Sequence, residues 1–258
     1  MARTEGEEPT ALLQRLPGVR LLSLTLHETQ MVTPSTRRLR FVGEGLSDLE
    51  VRPGQDLMVE VPAEGRRHFR RRYSVRSLDR AVGAVDLDIV LHGDGPGARW
   101  AAAVEPGDTV EAIGPRGKIF VADGADWHLF CADEASLPAT LAMIESLPPS
   151  AVAVALVEVD GASDHVAPGS GPEALDLRWL HRTEPAGRDP VMTTAVTALG
   201  LPAGHGHAYV FGELHVVAAA RQALVGRGMD PADIDHKGYW RLGVANAAHG
   251  EPERPRPA

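Results

Sequence analysis

Two segments carry the residue types best suited to chemistry. The first is Arg70-Arg71-Arg72-Tyr73-Ser74-Val75. A strand with arginine, an aromatic ring and a hydroxyl in alternation can set a guanidinium on a phosphate and a flat ring against an isoalloxazine. The second is Leu91-His92-Gly93-Asp94-Gly95-Pro96-Gly97-Ala98-Arg99-Trp100. Its glycine-rich turn opens a helix whose N-terminus presents free backbone N–H groups and a partial positive charge to a pyrophosphate. Together the two segments can hold a flavin dinucleotide. Taken singly, each has a plainer reading: Gly93-x-Gly95 as a turn before a helix, the arginine run as a solvated edge.

Such residues need a scaffold, and the chain changes rhythm once. From Val19 to Val121 short alternating segments rich in β-branched and aliphatic residues recur: Val19 to His27, Thr36 to Val42, Asp56 to Val61, Tyr73 to Val75, Val85 to Leu91 and Thr109 to Ile113. Gly and Pro punctuate them, which predicts a closed or nearly closed antiparallel barrel, with one helix around Gly97 to Val104. Beyond Asp123 strands and helices alternate. Strands are expected at Trp127 to Cys131, Ala151 to Val159, Leu175 to His181 and His207 to Phe211, and helices at Glu134 to Ser146, Pro190 to Leu199 and Val216 to Arg227, the last capped by Gly228. Apolar strands alternating with helices imply an α/β domain with a mostly parallel sheet. The expected division is a tail (1–18), a barrel domain (19–122), an α/β domain (123–245) and a second tail (246–258).

Composition narrows the classes of function. The chain has 258 residues, 43% of them hydrophobic, enough for two cores, and a formal net charge of −9. That surplus argues against nucleic-acid binding, even through the basic run Arg66 to Arg72, because phosphate binders carry a basic excess. The one cysteine, Cys131, lies in an apolar run, so neither a disulfide framework nor a thiolate cluster is available, and a cytoplasmic protein is expected. No apolar stretch approaches the length of a membrane helix, and the first residues hold no signal-peptide core. The triplet His205-Gly206-His207 lies in a Gly/Pro loop with no third ligand near in sequence, so it reads as loop and no metal is expected. Ser74 and Ser136 lack the neighbours of a hydrolase triad.

These residues resemble one family. Arg71-x-Tyr73-Ser74, His92-Gly93 with Gly95-Pro96 and Arg99-Trp100-Ala101, the Pro106-Gly107-Asp108 turn and Gly114-Pro115-Arg116-Gly117 look like the siderophore-interacting branch of the ferredoxin-reductase-like flavoproteins. Asp133-Glu134, Leu137-Pro138-Ala139, Gly212-Glu213 and the closing Gly238-Tyr239-Trp240-Arg241-x-Gly243 look like its later signatures. The resemblance runs from about Val19 to Gly243. It implies that Arg71, Tyr73, Ser74 and Val75 hold the flavin ring and phosphate, that Leu91, His92, Gly93 and Gly95 lie along FAD, and that Gly97 and Ala98 face the pyrophosphate. Asp133, Ala135 and Trp240 would lie near it. Trp100 belongs to the same segment, although Trp100, Trp127 and Trp179 also read as core. Two departures stand out: Gly97-Ala98 replaces the usual Ala-Ser, and Ala135-Ser136 replaces Thr-Ala, so two hydroxyl contacts are missing or shifted. Each lost hydrogen bond to a phosphate costs about 1.5–3 kcal/mol.

The implied activity is reduction of a ferric siderophore by FAD, with electrons from NAD(P)H or a ferredoxin. An anionic chelate needs local cations on an acidic protein, and Lys237, Arg241, Arg178 and Arg182 are the candidates, each also readable as a solvent-facing charge. For the nicotinamide donor, Gly212 and Glu213 belong to the family signature. Glu158 and Asp160 close the second strand of the α/β domain, where a carboxylate can accept a ribose hydroxyl and repel a 2′-phosphate, favouring NADH; Asp160-Gly161 is equally a simple turn. A flavin-free siderophore-binding module and a flavin reductase with another acceptor remain open.

Overall fold

The computed structural model describes residues 18–62, 68–91, 93 and 95–244. The expectations for both tails and for His92 lie outside the described residues. By its contacts the chain divides into two compact units, one running through Lys118 and the other from Ile119 onward, with Thr33–Thr36 grouping with the second.

The first unit is a closed antiparallel barrel. Its strands are β1 (Arg20–Thr33), β2 (Thr36–Val42), β3 (Asp56–Pro62), β4 (His68–Asp79), β5 (Ala84–Val90) and β6 (Thr109–Arg116), in the order β1-β2-β5-β4-β3-β6. Side chains alternate across a strand, so Leu22, Leu24 and Leu26 of β1 point into the core while the residues between them do not. Closure comes from β1 pairing with β6, Leu24 opposite Val110, which leaves no free edge. Helix α1 (Pro96–Ala103) follows β5, and Arg37 caps its C-terminal end by donating to the carbonyls of Ala101 (2.7 Å) and Ala102 (3.0 Å).

The second unit is a sheet of five parallel strands: β7 (Trp127–Asp133), β8 (Val152–Val159), β9 (Ala174–His181), β10 (Gly206–Glu213) and β11 (Ile234–Trp240), in the order β11-β10-β7-β8-β9. Its helices are α2 (Leu137–Glu145), α3 (Val191–Ala198) and α4 (Leu214–Gly226). The central strands β7, β8 and β10 bury both faces, as apolar runs must, while the edge strand β9 has no buried residue. Leu129, Cys131, Ala208 and Val210 pack with α3 and α4 on one side, and Phe130, Tyr209 and Phe211 pack with α2 on the other. Among the described residues no helix is long and apolar enough to cross a membrane.

Local details depart from the sequence reading. β4 spans twelve residues where three were expected, because its arginines are held by cross-strand partners: Arg72 makes a bidentate pair with Asp56 (2.9 and 2.6 Å) and Arg70 reaches Glu60 at 3.2 Å. β11 was not anticipated, since its sequence Ile-Asp-His-Lys-Gly-Tyr-Trp has neither alternation nor an apolar run. α2 begins at Leu137 rather than Glu134, because Asp133 to Ser136 close a turn of their own. The His-Gly-His triplet is not one loop: His205 lies before β10 and meets Asp233 at 2.9 Å, while His207 is a buried strand residue 3.0 Å from Asp235.

Candidate functional site

In the barrel unit, β4 and the start of α1 build a cradle. The Tyr73 ring stacks on Trp100, centroids 5.8 Å apart, and Trp100 stacks on Phe41 at 6.4 Å. This fixes the plane of Tyr73 from the core outward. Trp100, only 8% exposed, stands behind Tyr73 and supports the cradle from the core side, as its reading as a core residue expects. The Tyr73 hydroxyl is buried and has no hydrogen-bond partner among the described protein atoms, and burial pushes its pKa well above the usual phenol range, against the pull of Arg71. A buried polar group without a partner is costly, so such an atom points to a ligand.

Gly97 completes the cradle. A Cβ there would sit 2.7 Å from the Tyr73 hydroxyl and 3.3 Å from Cγ of Arg71, so only glycine lets α1 approach β4 this closely. Gly95 occupies the N-cap in an extended conformation, Pro96 takes the first turn, and the first turn itself holds no acidic residue. Gly93 turns the chain through φ +69°, a region glycine enters without strain. Arg71 is half-buried, its guanidinium 5.2 Å from the Phe69 ring and donating to the Arg70 carbonyl at 2.9 Å; burial lowers its pKa. Ser74 and Val75 are buried on the same strand, and Leu91 packs partly against the barrel core. A cation, a partnerless hydroxyl and a helix N-terminus free of side-chain caps fit a diphosphate joined to a flat ring system, as FAD is.

The second unit gathers carboxylates where its strand order reverses, at the C-terminal ends of β7, β8 and β10, the place where open α/β sheets bind ligands. Asp133 and Glu158 are register neighbours across β7 and β8, 7% and 2% exposed. With Gly187, Gly212 and Glu213 they line a cavity of about 10 Å³, enough for one water. Burial first, then the charge of Asp133, pushes the Glu158 carboxyl up to about 7, outweighing the lowering effect of Arg182. Gly212 sits at φ +139°, and a Cβ there would come 2.8 Å from the Asp133 carboxylate.

Trp240 donates from Nε1 to Asp133 at 2.7 Å. Glu213 caps α4 through the N–H groups of His215 (2.5 Å) and Val216 (3.0 Å) and also accepts from Leu242 at 3.1 Å, so the segment after β11 is tied to the helix start. Burial works against ionisation of Glu213, yet these N–H donors hold it below the usual carboxylate range. Ser136, which might have replaced a missing hydroxyl contact, is fully buried and spends its hydroxyl within its own turn, on the Asp133 carbonyl (3.2 Å) and carboxylate (2.9 Å). Its neighbour Ala135 has no polar side-chain group to contribute.

The four cations expected to gather an anionic ligand are not alike. The Arg182 side chain is 4% exposed and bonded to Glu134, to Asp160 at 2.9 and 2.6 Å and to Glu158 at 3.4 Å. Despite burial, the bonds and charge of Glu134 and Asp160 hold its guanidinium above the ordinary value. Three carboxylates thus satisfy it within the protein. Arg178 pairs with Asp176 at 2.5 Å on the exposed edge strand, and Lys237 is buried, its Nζ 5.0 Å from the Tyr239 ring. Arg241 is exposed. Trp179, expected in the core, is half-buried: it packs against the core of the second unit and also stacks on His165. Sequence reasoning missed Glu134 as the partner of Arg182; forty-eight positions separate them, so no local signal connected the two. It also missed Gly187, whose φ of +78° and closeness to Glu213 and Trp240 exclude a side chain, though Pro185-Ala186-Gly187 did mark a turn.

Comparison with known proteins gives the same frame. The profile of the siderophore-interacting FAD-binding domain matches residues 49–119, and that of the siderophore-interacting protein matches residues 125–243. An uncharacterised protein of Mycobacterium tuberculosis is 34% identical over 185 residues, covering 67% of this chain and 65% of that relative, so the match spans just under two thirds of its length. The ferric vibriobactin reductase ViuB of Vibrio cholerae is 34% identical over 186 residues, 70% of this chain and 68% of the relative. Among solved structures, a siderophore utilization protein from T. fusca superposes with a TM-score of 0.81 at 29% identity, covering 90% of this chain and 97% of that one. With both profiles matched in order along a barrel and a parallel α/β unit, the chain belongs to the siderophore-interacting protein family.

Proposed function

We propose that this chain is an FAD-dependent ferric-siderophore reductase working in the cytoplasm, with reduced nicotinamide as donor and NADH preferred over NADPH. The observation that carries the reading is the buried Tyr73 hydroxyl, without a hydrogen-bond partner among the described residues, beside Gly97, Arg71 and the N-terminus of α1. Residues 19–122 act as the FAD-binding domain and 123–245 as the nicotinamide domain. Arg71 binds a phosphate, Tyr73 and Ser74 orient the ring system, and the N–H groups of Gly97 and Ala98 face the diphosphate, doing the work of the absent hydroxyls. When bound, FAD accepts a hydride and releases electrons singly, which a ferric ion requires. Ferrous iron is held less tightly by hard oxygen ligands, so reduction loosens the chelate. Arg241 is the exposed cation best suited to an anionic siderophore.

The preference for NADH rests on the end of β8. The Asp160 side chain is 72% exposed and can accept ribose hydroxyls. A 2′-phosphate would meet the carboxylates of Asp160, Glu134 and Glu158, with Arg182 already engaged by all three. NADH should therefore show the higher kcat/KM. In the pair Glu134→Gln with Asp160→Asn the advantage should shrink by about tenfold, about 1.4 kcal/mol, as Arg182 is released. Equal use of both donors by the unaltered protein removes this assignment.

The test of the main reading is an absorption spectrum with added FAD, then anaerobic NADH and a ferric siderophore with a ferrous trap. Bound flavin should bleach with NADH and recover as trapped ferrous iron appears. Flavin that never binds favours a siderophore-binding module. Flavin that binds and bleaches without iron reduction favours a flavin reductase with another acceptor.

A further inference from the structure

Beside the edge strand β9, three rings form a cluster that the proposed reaction leaves unused. Trp179 and His181 stand two positions apart on β9 and so share a face. His165 follows the 3-10 turn Ala162–Asp164 and stacks on Trp179, centroids 4.4 Å apart with 11° between the planes. Its Nε2 lies 2.8 Å from Nε2 of His181, and both histidines are exposed. Stacking thus holds one imidazole while the strand holds the other, and their ring nitrogens converge at the surface.

We propose that His165 and His181 form a two-point binding site for a divalent first-row transition metal of tetragonal preference, with Cu(II) the strongest occupant. Metal–imidazole bonds of about 2.0 Å place two cis nitrogens of a square arrangement about 2.8 Å apart, whereas a tetrahedral ion asks for about 3.3 Å. The observed 2.8 Å matches the square. Tetragonal nitrogen and oxygen coordination suits Cu(II) and Ni(II), and Cu(II) heads the general affinity order. Water completes the shell, because among the described residues no group of three or more His, Cys, Asp or Glu could hold a metal ion. Fe(II) stands low in that order, so the pair would not retain a ferrous product. The inference is independent of the reductase reading.

A hydrogen bond between one ring N–H and one bare nitrogen would use the same separation, and it competes with metal for the same lone pairs. Trp179 makes the two distinguishable, since an open-shell ion such as Cu(II) or Ni(II) bound beside its stacking partner quenches indole emission. Untagged, chelator-treated full chain is titrated with CuCl2, and in parallel with NiCl2, following tryptophan fluorescence and the electron paramagnetic spectrum of Cu(II), with ZnCl2 added as a non-quenching competitor. One equivalent of Cu(II) should bind first, with axial signals coupled to two nitrogens. Losing either imidazole removes the chelate, so His165→Phe, which keeps a stacked ring, and His181→Ala should each weaken binding by at least about tenfold. His205→Ala, altering a histidine already paired with Asp233, should bind as the unaltered chain does. Unchanged affinity in His165→Phe and His181→Ala, or no saturable binding at one equivalent, overturns the proposal.

Discussion

Alanine at position 71 is expected to raise the FAD concentration for half-occupancy by about ten- to a hundredfold while leaving the fold intact. The estimate is the loss of about 1.5–3 kcal/mol for a charge-assisted hydrogen bond to phosphate. The fold should survive because Arg71 is half-buried at the rim, whereas the stack that sets the cradle, Phe41 on Trp100 on Tyr73, belongs to the core behind it. Flavin fluorescence on titration gives the affinity, and circular dichroism the fold. A companion change separates charge from shape. Gly97→Val would push side-chain atoms into the Tyr73 hydroxyl and Arg71 and should block FAD without removing any charge. If both variants bind FAD as the parent does, the cradle between β4 and α1 is not the flavin site.

Removing Arg182 should be the most destabilising single charge change in the α/β unit, about 3 kcal/mol at pH 8, where Glu158 is mostly ionised. Breaking a buried ion pair strands the remaining charge, and here the side chains of Arg182 and Glu158 are 4% and 3% exposed. The exposed Asp160 carboxylate contributes little to this figure because water screens it. Thermal unfolding of Arg182→Ala against the parent reads the loss; a change within error would mean that the cluster is solvated in solution.

The pH dependence of the same cluster has a definite sign. Glu158 titrates near 7 in the folded chain against an ordinary 4.5, so the unfolded chain loses this proton first. Stability from this group is full below about pH 4.5 and declines as pH rises towards 7. Glu158→Gln should accordingly be more stable than the parent at pH 8, with the difference gone at pH 4. The Arg182→Ala penalty should shrink over the same descent, as Glu158 takes up its proton.

How much of this was legible beforehand varies by element. The barrel was readable because alternation with period two and frequent Gly and Pro leave few other solutions, and the first half of β1 shows that alternation at Leu22, Leu24 and Leu26. The parallel sheet was readable from Val152–Val159 and its neighbours, whose continuous apolar runs demand cover on both faces. β11 was not, because its place is decided by pairing with β10, Phe211 beside Lys237, rather than by its own composition. The length of β4 was obscured by three consecutive arginines, which become tolerable in a strand once Asp56 and Glu60 stand on β3 to receive two of them.

Sequence alone determined the kinds of chemistry available: a guanidinium, a phenol and a hydroxyl on one strand, a glycine-rich helix start, and no thiolate pair. These are properties of residue type and near spacing, which the chain carries whatever its fold. The tertiary structure decided which of those groups are at liberty to act. Arg182 looked like a cation for a ligand until Glu134 and Asp160, distant in sequence, were found bonded to it. Tyr73 looked like one aromatic among several until its hydroxyl was found buried against Gly97 without a partner among the described residues. Availability depends on burial and on partners far along the chain, and only packing brings those together.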